Sequence, residues 1–175
     1  DSYLTKVGQM SDNLAKTIEF IKEQSADGGG DIEEAVEAAL DAALNKLTWR
    51  PNARARILFL VLDASPHTLP AVMERIKNQI SKAASMGIKI VPITCSGIEK
   101  STEYLMRSMA LATNGTYLFL TDHSGIGDSH IAPSTDKYDV ELLNGLLLRV
   151  FDKFVTAPLC NKPLDEKTIE QPDSV

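Results

Sequence analysis

Ile57-Leu58-Phe59-Leu60-Val61-Leu62 is an unbroken apolar run that ends on Asp63. A run with no polar alternation reads as a strand buried on both faces, the habit of parallel sheets that helices cover above and below. Working downstream, Ile88, Ile90, Val91, Ile93 and Thr94 make a second strand of this kind, and Thr116-Tyr117-Leu118-Phe119-Leu120 a third. Between the first two, Pro70 opens a helix with Val72, Met73, Ile76, Ile80 and Ala83 on one face, and Gly87 stops it. Between the second and third, Ser101 caps a helix carrying Tyr104, Leu105 and Met109, which closes at Asn114-Gly115. After a long polar loop over 121–138, Leu142, Leu143, Leu146, Leu147, Val150, Phe151 and Phe154 mark a strongly amphipathic last helix.

Working upstream, Trp49-Arg50-Pro51-Asn52 ends a helix whose apolar stripe is Ile32, Val36, Leu40, Leu44 and Leu47. Asp31, with Glu34 three residues on, has the spacing of a capping box at its start. Ala26-Asp27-Gly28-Gly29-Gly30 separates it from an earlier helix, capped by Ser11 and bearing Leu14, Ile18 and Ile21, that ends near Ser25. Tyr3, Thr5 and Val7 alternate as a short edge strand. The resulting alternation of strands and helices predicts an α/β fold: three layers, Rossmann-like and doubly wound, with helices on both faces of a mostly parallel sheet. Residues 1–155 form that domain, and 156–175, rich in Pro and charge without apolar period, read as an extended tail or linker.

The 175 residues are 43% hydrophobic and 24% charged, enough apolar material for one core. Lys and Arg number 18 against 24 Asp and Glu, and the formal charge of -6 gives no long-range attraction to nucleic acid or anionic lipid. No apolar stretch is long enough to insert in a membrane. Asp1-Ser2-Tyr3 lacks the basic and apolar regions of a signal peptide. Cys95 and Cys160 form no Cys-x-x-Cys pair, which leaves zinc and dithiol redox chemistry without their usual signature.

In open α/β sheets ligands bind beyond the carboxyl ends of the strands. Asp63 is the sharpest residue there, because a carboxylate closing an apolar strand needs a hydrogen bond, a counter-charge or a cation. It reads either as a cation ligand or as a structural cap. Asp31 reads equally as a plain N-cap. His67, His123 and His130, with Asp122 and Asp128, lie on loops of the same end, but their spacing fits no zinc pattern, and loop-ordering histidines are the simpler reading. Gly28-Gly29-Gly30 is followed by no Lys-Ser/Thr and preceded by no buried strand, so it is not a phosphate cradle. Ser65 and His67 lie too close along one loop to make a triad, and there is no Gly-x-Ser-x-Gly elbow; Cys95 reads as a small core residue. A non-enzymatic role follows, with an α/β hydrolase as the alternative of a different class.

The ordered set Asp27-Gly28-Gly29-Gly30-Asp31-Ile32-Glu33-Glu34-Ala35-Val36, then Ile57 to Asp63, the strand ending in Thr94, and Leu111-Ala112-Thr113-Asn114-Gly115-Thr116-Tyr117 resembles a von Willebrand factor A-type domain over residues 1 to about 155. The resemblance implies a protein-binding module for adhesion or assembly. Such modules hold a divalent cation, usually Mg²⁺, in a metal-ion-dependent adhesion site above the sheet, where an acidic residue of the protein partner completes the shell. It assigns ligands to Asp63 and to Asp31 or its neighbourhood, with Thr94, Ser96, Asp122 and His123 around the rim and Gly125-Ile126-Gly127 as an adaptable turn. Versions outside the cytoplasm, whether secreted, periplasmic or on the cell surface, are common, and intracellular versions exist too.

Two departures stand against it. No Asp-x-Ser-x-Ser triplet occurs at a strand end, and Asp63 is followed by Ala64 where the family usually has Gly. A metal-free structural or interaction domain with a degenerate site is therefore the alternative within the family. In the family's fold Tyr3 to Val7 matches the antiparallel edge strand. The first strand of that fold, which would lie beside Ile57 to Leu62, is expected from an upstream segment or another chain.

Overall fold

The computed structural model describes residues 3–25, 31–95, 98–120 and 141–156. Among them one three-stranded sheet runs β1 (Arg56–Leu62), β2 (Ile88–Thr94), β3 (Leu118–Phe119), in that spatial order, with every pair parallel. The helices are α1 (Leu14–Lys22), α2 (Val36–Asn45), α3 (Pro70–Ser85), α4 (Lys100–Ala112) and α5 (Leu143–Val155). The expected α/β class and helices on both faces are present.

β1 and β2 pair in step from Arg56 beside Ile88 to Leu62 beside Thr94. Side chains alternate across the pleat, so the two apolar strands feed two cores. On one face Leu58, Leu60, Leu62, Ile88 and Ile90 pack with Val36, Leu40 and Leu44 of α2, Val72, Ile76 and Ala83 of α3, and Met106 and Met109 of α4. On the other, Ile57, Phe59, Val91, Ile93, Leu118 and Leu120 meet α5 through Val150, Leu143, Leu146, Leu147 and Phe154. Phe59 and Phe151 meet at 5.3 Å between ring centroids in a tilted pair. β2, between two strands and two layers of helices, is buried along nearly its whole length.

Turn chemistry positions these layers. Gly87 takes φ +66° after α3 and turns the chain directly into β2. After α4, Asn114 takes φ 52°, and Gly115 lies so close to β2 that a Cβ there would sit 1.9 Å from the Ile90 carbonyl oxygen. Thr113 fastens the same junction: its Oγ1 accepts the Ile90 amide at 3.0 Å and donates to the Met109 carbonyl at 2.9 Å.

Several expectations are corrected. Tyr3 to Val7 is not a strand. Leu4–Gly8 instead lines a groove with Ala39, Ala42 and Ala43 of α2 and with Leu47 just after it, and no described strand lies beside it to supply a ladder. The cap of α1 is Asn13, whose side chain accepts the Lys16 amide, while Ser11 Oγ accepts the Asn13 amide. The apolar face of α1 is expected to pack, yet the helix has no buried residue.

Asp31 does not cap α2, which begins at Val36, and Ile32 is 84% exposed rather than part of its stripe. The reason lies in the neighbouring loop, where the Ser65 carbonyl accepts the Glu34 amide at 2.8 Å and draws 31–35 into a parallel bridge instead of a helical turn. In α4 the buried face belongs to Thr102, Glu103, Met106, Met109 and Ala110, with Tyr104 exposed, and the N-cap is Glu99 rather than Ser101. The third strand is two residues long instead of five, extended by the Leu120 amide donating to Thr94 O.

Candidate functional site

The carboxyl end of β1 is where the chain brings its chemistry together. Leu62 is buried and closes the strand, and the next residue, Asp63, is exposed. The chain then bends through Ala64 and Ser65 to Pro66, which forms the parallel bridge with Glu34. That bridge carries the loop before α2 to the strand end, and its consequence is a three-residue group. One ligand atom each from Asp31, Glu33 and His67 lies within 4.8 Å of the others. His67 Nε2 stands 3.7 Å from Asp31 Oδ2, the imidazole about one-third exposed and the carboxylate more open. Two carboxylates and an imidazole at this spacing could share one cation, and an unshared Asp31–His67 ion pair is the other thing they can make.

Asp31 and Asp63 are both at this end of the sheet, but Asp63 is not a member of the group. Its charge is felt elsewhere: burial pushes the Cys95 thiol up from its ordinary range, and Asp63 pushes it further. Cys95 packs against the α5-side core, as expected of a small core residue. Ser65 is held by the adjacent helix, its Oγ accepting from Thr102 Oγ1 at 2.6 Å. The hydroxyl is thus engaged with α4.

Thr94, expected at the rim, is fully buried at the end of β2. Its Oγ1 lies 2.6 Å from the Tyr117 hydroxyl, and burial raises the pKa of that phenol, with the Thr94 bond opposing the shift. The Tyr117 ring in turn stacks under Arg107, 4.5 Å from the guanidinium carbon, and Arg107 pairs with buried Glu103 at 2.7 Å. This polar cluster braces the junction of β2, β3 and α4. Ser96, Asp122, His123, Gly125 to Gly127, Asp128 and His130 lie outside the described residues, as does the tail from 157 onward.

Glu33 was not among the expected ligands. A helical reading of 31–36 pairs Asp31 with Glu34 as cap and box. Residues 31–33 form bends, and neither the helical nor the strand period pairs Asp31 with Glu33 there, so the spacing carried no signal for it. No family model matches the chain, and no curated protein matches it in sequence.

Proposed function

We propose that this chain is a protein-binding module of the von Willebrand factor A type, acting through the loops at the carboxyl end of its parallel sheet with the help of a divalent cation. The observation that carries the reading is the convergence of Asp31, Glu33 and His67 within 4.8 Å beside the end of β1. The two carboxylates suit a hard cation such as Mg²⁺, and the imidazole adds affinity for Mn²⁺ or Zn²⁺. Three protein ligands leave positions for water, and a carboxylate of the partner can replace one of them. Asp63, on the same strand end, acts in the outer sphere, through water.

Calorimetric titration of the whole chain with Mg²⁺, Mn²⁺ and Zn²⁺ tests this. At least one of the three ions binds the unaltered protein. Asp31→Ala and His67→Ala each weaken it about tenfold or more, on the scale of a lost ligand, and Asp63→Ala weakens it less. Equal binding by all four proteins overturns the ligand assignment. If the unaltered protein binds none of the ions, the metal-free interaction domain replaces the cation-dependent one, and the Asp31–His67 ion pair becomes the reason for the cluster.

A further inference from the structure

Asn-Gly occurs twice in the chain, at Asn114-Gly115 and at Asn144-Gly145. In this dipeptide an asparagine side chain is most open to attack by its own backbone, because glycine has no Cβ to shield the amide nitrogen that follows. That nitrogen adds to the side-chain Cγ, the bond from Cγ to the side-chain nitrogen breaks, and ammonia leaves with the amide proton. The product is a cyclic succinimide. Water then opens the ring at either carbonyl, giving aspartate or, with one more methylene in the main chain, isoaspartate. Ammonia is lost and water gained, and no oxidant, metal or enzyme is required. Two conditions govern the rate: the glycine amide must be free, and the backbone must be able to turn until the nitrogen meets Cγ.

The structure treats the two sites differently, although both asparagines are exposed. At the first, the Gly115 amide is engaged, donating to Ala110 O at 2.7 Å. Gly115 is also pressed against β2, with no room for even a Cβ beside the Ile90 carbonyl, and the nearby Thr113 is buried and bonded to the Ile90 amide. Turning this backbone means parting α4 from β2. At the second site, Asn144 and Gly145 are the second and third residues of α5, where helical amides have no carbonyl one turn back. Leu142, the N-cap, makes no side-chain bond to them, and the first bond of the helix runs from the Leu146 amide to Leu142 O at 3.0 Å. Among the described residues nothing accepts the Gly145 amide. Gly145 is exposed, and a Cβ there would meet only Glu141 Oε2, at 3.7 Å. Turning the backbone here costs the first turn of a helix, which opens far more readily than a packed joint.

We infer that Asn144 is a self-modification site, converting to aspartate and isoaspartate in the folded protein, and that Asn114 is guarded by the fold. The aspartate form puts a negative charge in the first turn of α5, where the positive end of the helix favours it. The isoaspartate form lengthens the main chain inside that turn and unwinds it beside Leu143 and Leu146, which pack on the sheet. The modification therefore loosens the start of the helix that covers this face.

Trypsin separates the two sites, releasing residues 108–137 with Asn114 and residues 138–149 with Asn144 as their single asparagines. The whole chain, held folded at mildly alkaline pH and sampled over days, is digested and weighed by mass spectrometry, with a sample in urea as reference. In urea both peptides gain the mass of amide-to-acid conversion at similar rates. In the folded protein 138–149 gains it at least about tenfold faster than 108–137. Leu142→Ser, a change at a side chain 75% exposed, gives the helix a cap that can accept the Gly145 amide and slows the reaction about fivefold, with no effect on 108–137. Equal rates at the two sites in the folded protein overturn the inference, as does a folded protein in which neither peptide changes while both change in urea. A Leu142→Ser rate equal to that of the unaltered chain overturns it too, since the open amide is then not what exposes Asn144.

Discussion

Cys95 directly follows β2, with its amide bound to Leu62 O and its thiol among the residues that face α5. Burial and the Asp63 charge both favour the neutral thiol, so at neutral pH little thiolate is present to act as a nucleophile. In a Cys160→Ser background, Cys95 should react with iodoacetamide at pH 8 more slowly than a free cysteine, and Asp63→Asn should speed it by removing the second cause. A rate equal to that of the unfolded chain would contradict the burial that the packing describes. Tyr117 shifts in the same direction. Both groups ionise more readily in the unfolded chain, so the stability they contribute is complete below the ordinary cysteine and tyrosine ranges and is lost as pH rises through the folded values.

At the level of elements, Thr113 pins the joint between α4 and β2. Replacing Thr113 by Val keeps the shape but removes the acceptor of the Ile90 amide, whose residue is fully buried. An unsatisfied buried amide costs about 1 to 3 kcal/mol, so Thr113→Val should lower the unfolding free energy in urea by that amount with little change in its slope. This joint was legible in outline from Asn114-Gly115, because a helix stop of that composition has a local cause in the left-handed backbone. The two long strands and α3 were legible for a similar reason, since apolar continuity and a period of 3.6 residues report burial directly.

Elements whose state depends on a neighbour were not legible. Residues 31–35 carry good helix-start chemistry and are still held out of a helix by the Ser65 carbonyl, a bond between segments more than 30 residues apart. Tyr3 to Val7 alternates like a strand and has no described ladder to join. The candidate site suffered the same way. Asp31 and Asp63 are both placed at the end of β1, but the residues that meet Asp31 are Glu33 and His67, and that meeting depends on the Glu34–Pro66 bridge.

Across the whole molecule the two faces of the sheet are unequally covered. Three helices share one face, whereas among the described residues α5 alone packs on the other. Val91, Ile93, Leu118 and Leu120 therefore owe their burial largely to a single helix that reaches them through Val150, itself 1% exposed. Burying a side chain of this size stabilises by about 1.5 to 3 kcal/mol, so the four together are comparable with the roughly 5 to 15 kcal/mol that holds a domain folded. Undocking α5 should consequently be equivalent to unfolding. Val150→Asp puts a carboxylate among the apolar side chains of that contact, and the expected result is loss of a cooperative thermal transition. Leu148→Asp, on the same helix at a side chain 69% exposed, should cost less than about 1 kcal/mol, mostly helix propensity. Calorimetric scans of both variants separate a helix that holds the fold together from one that only decorates it: if Val150→Asp melts as sharply as Leu148→Asp, the core beneath α5 does not depend on that helix.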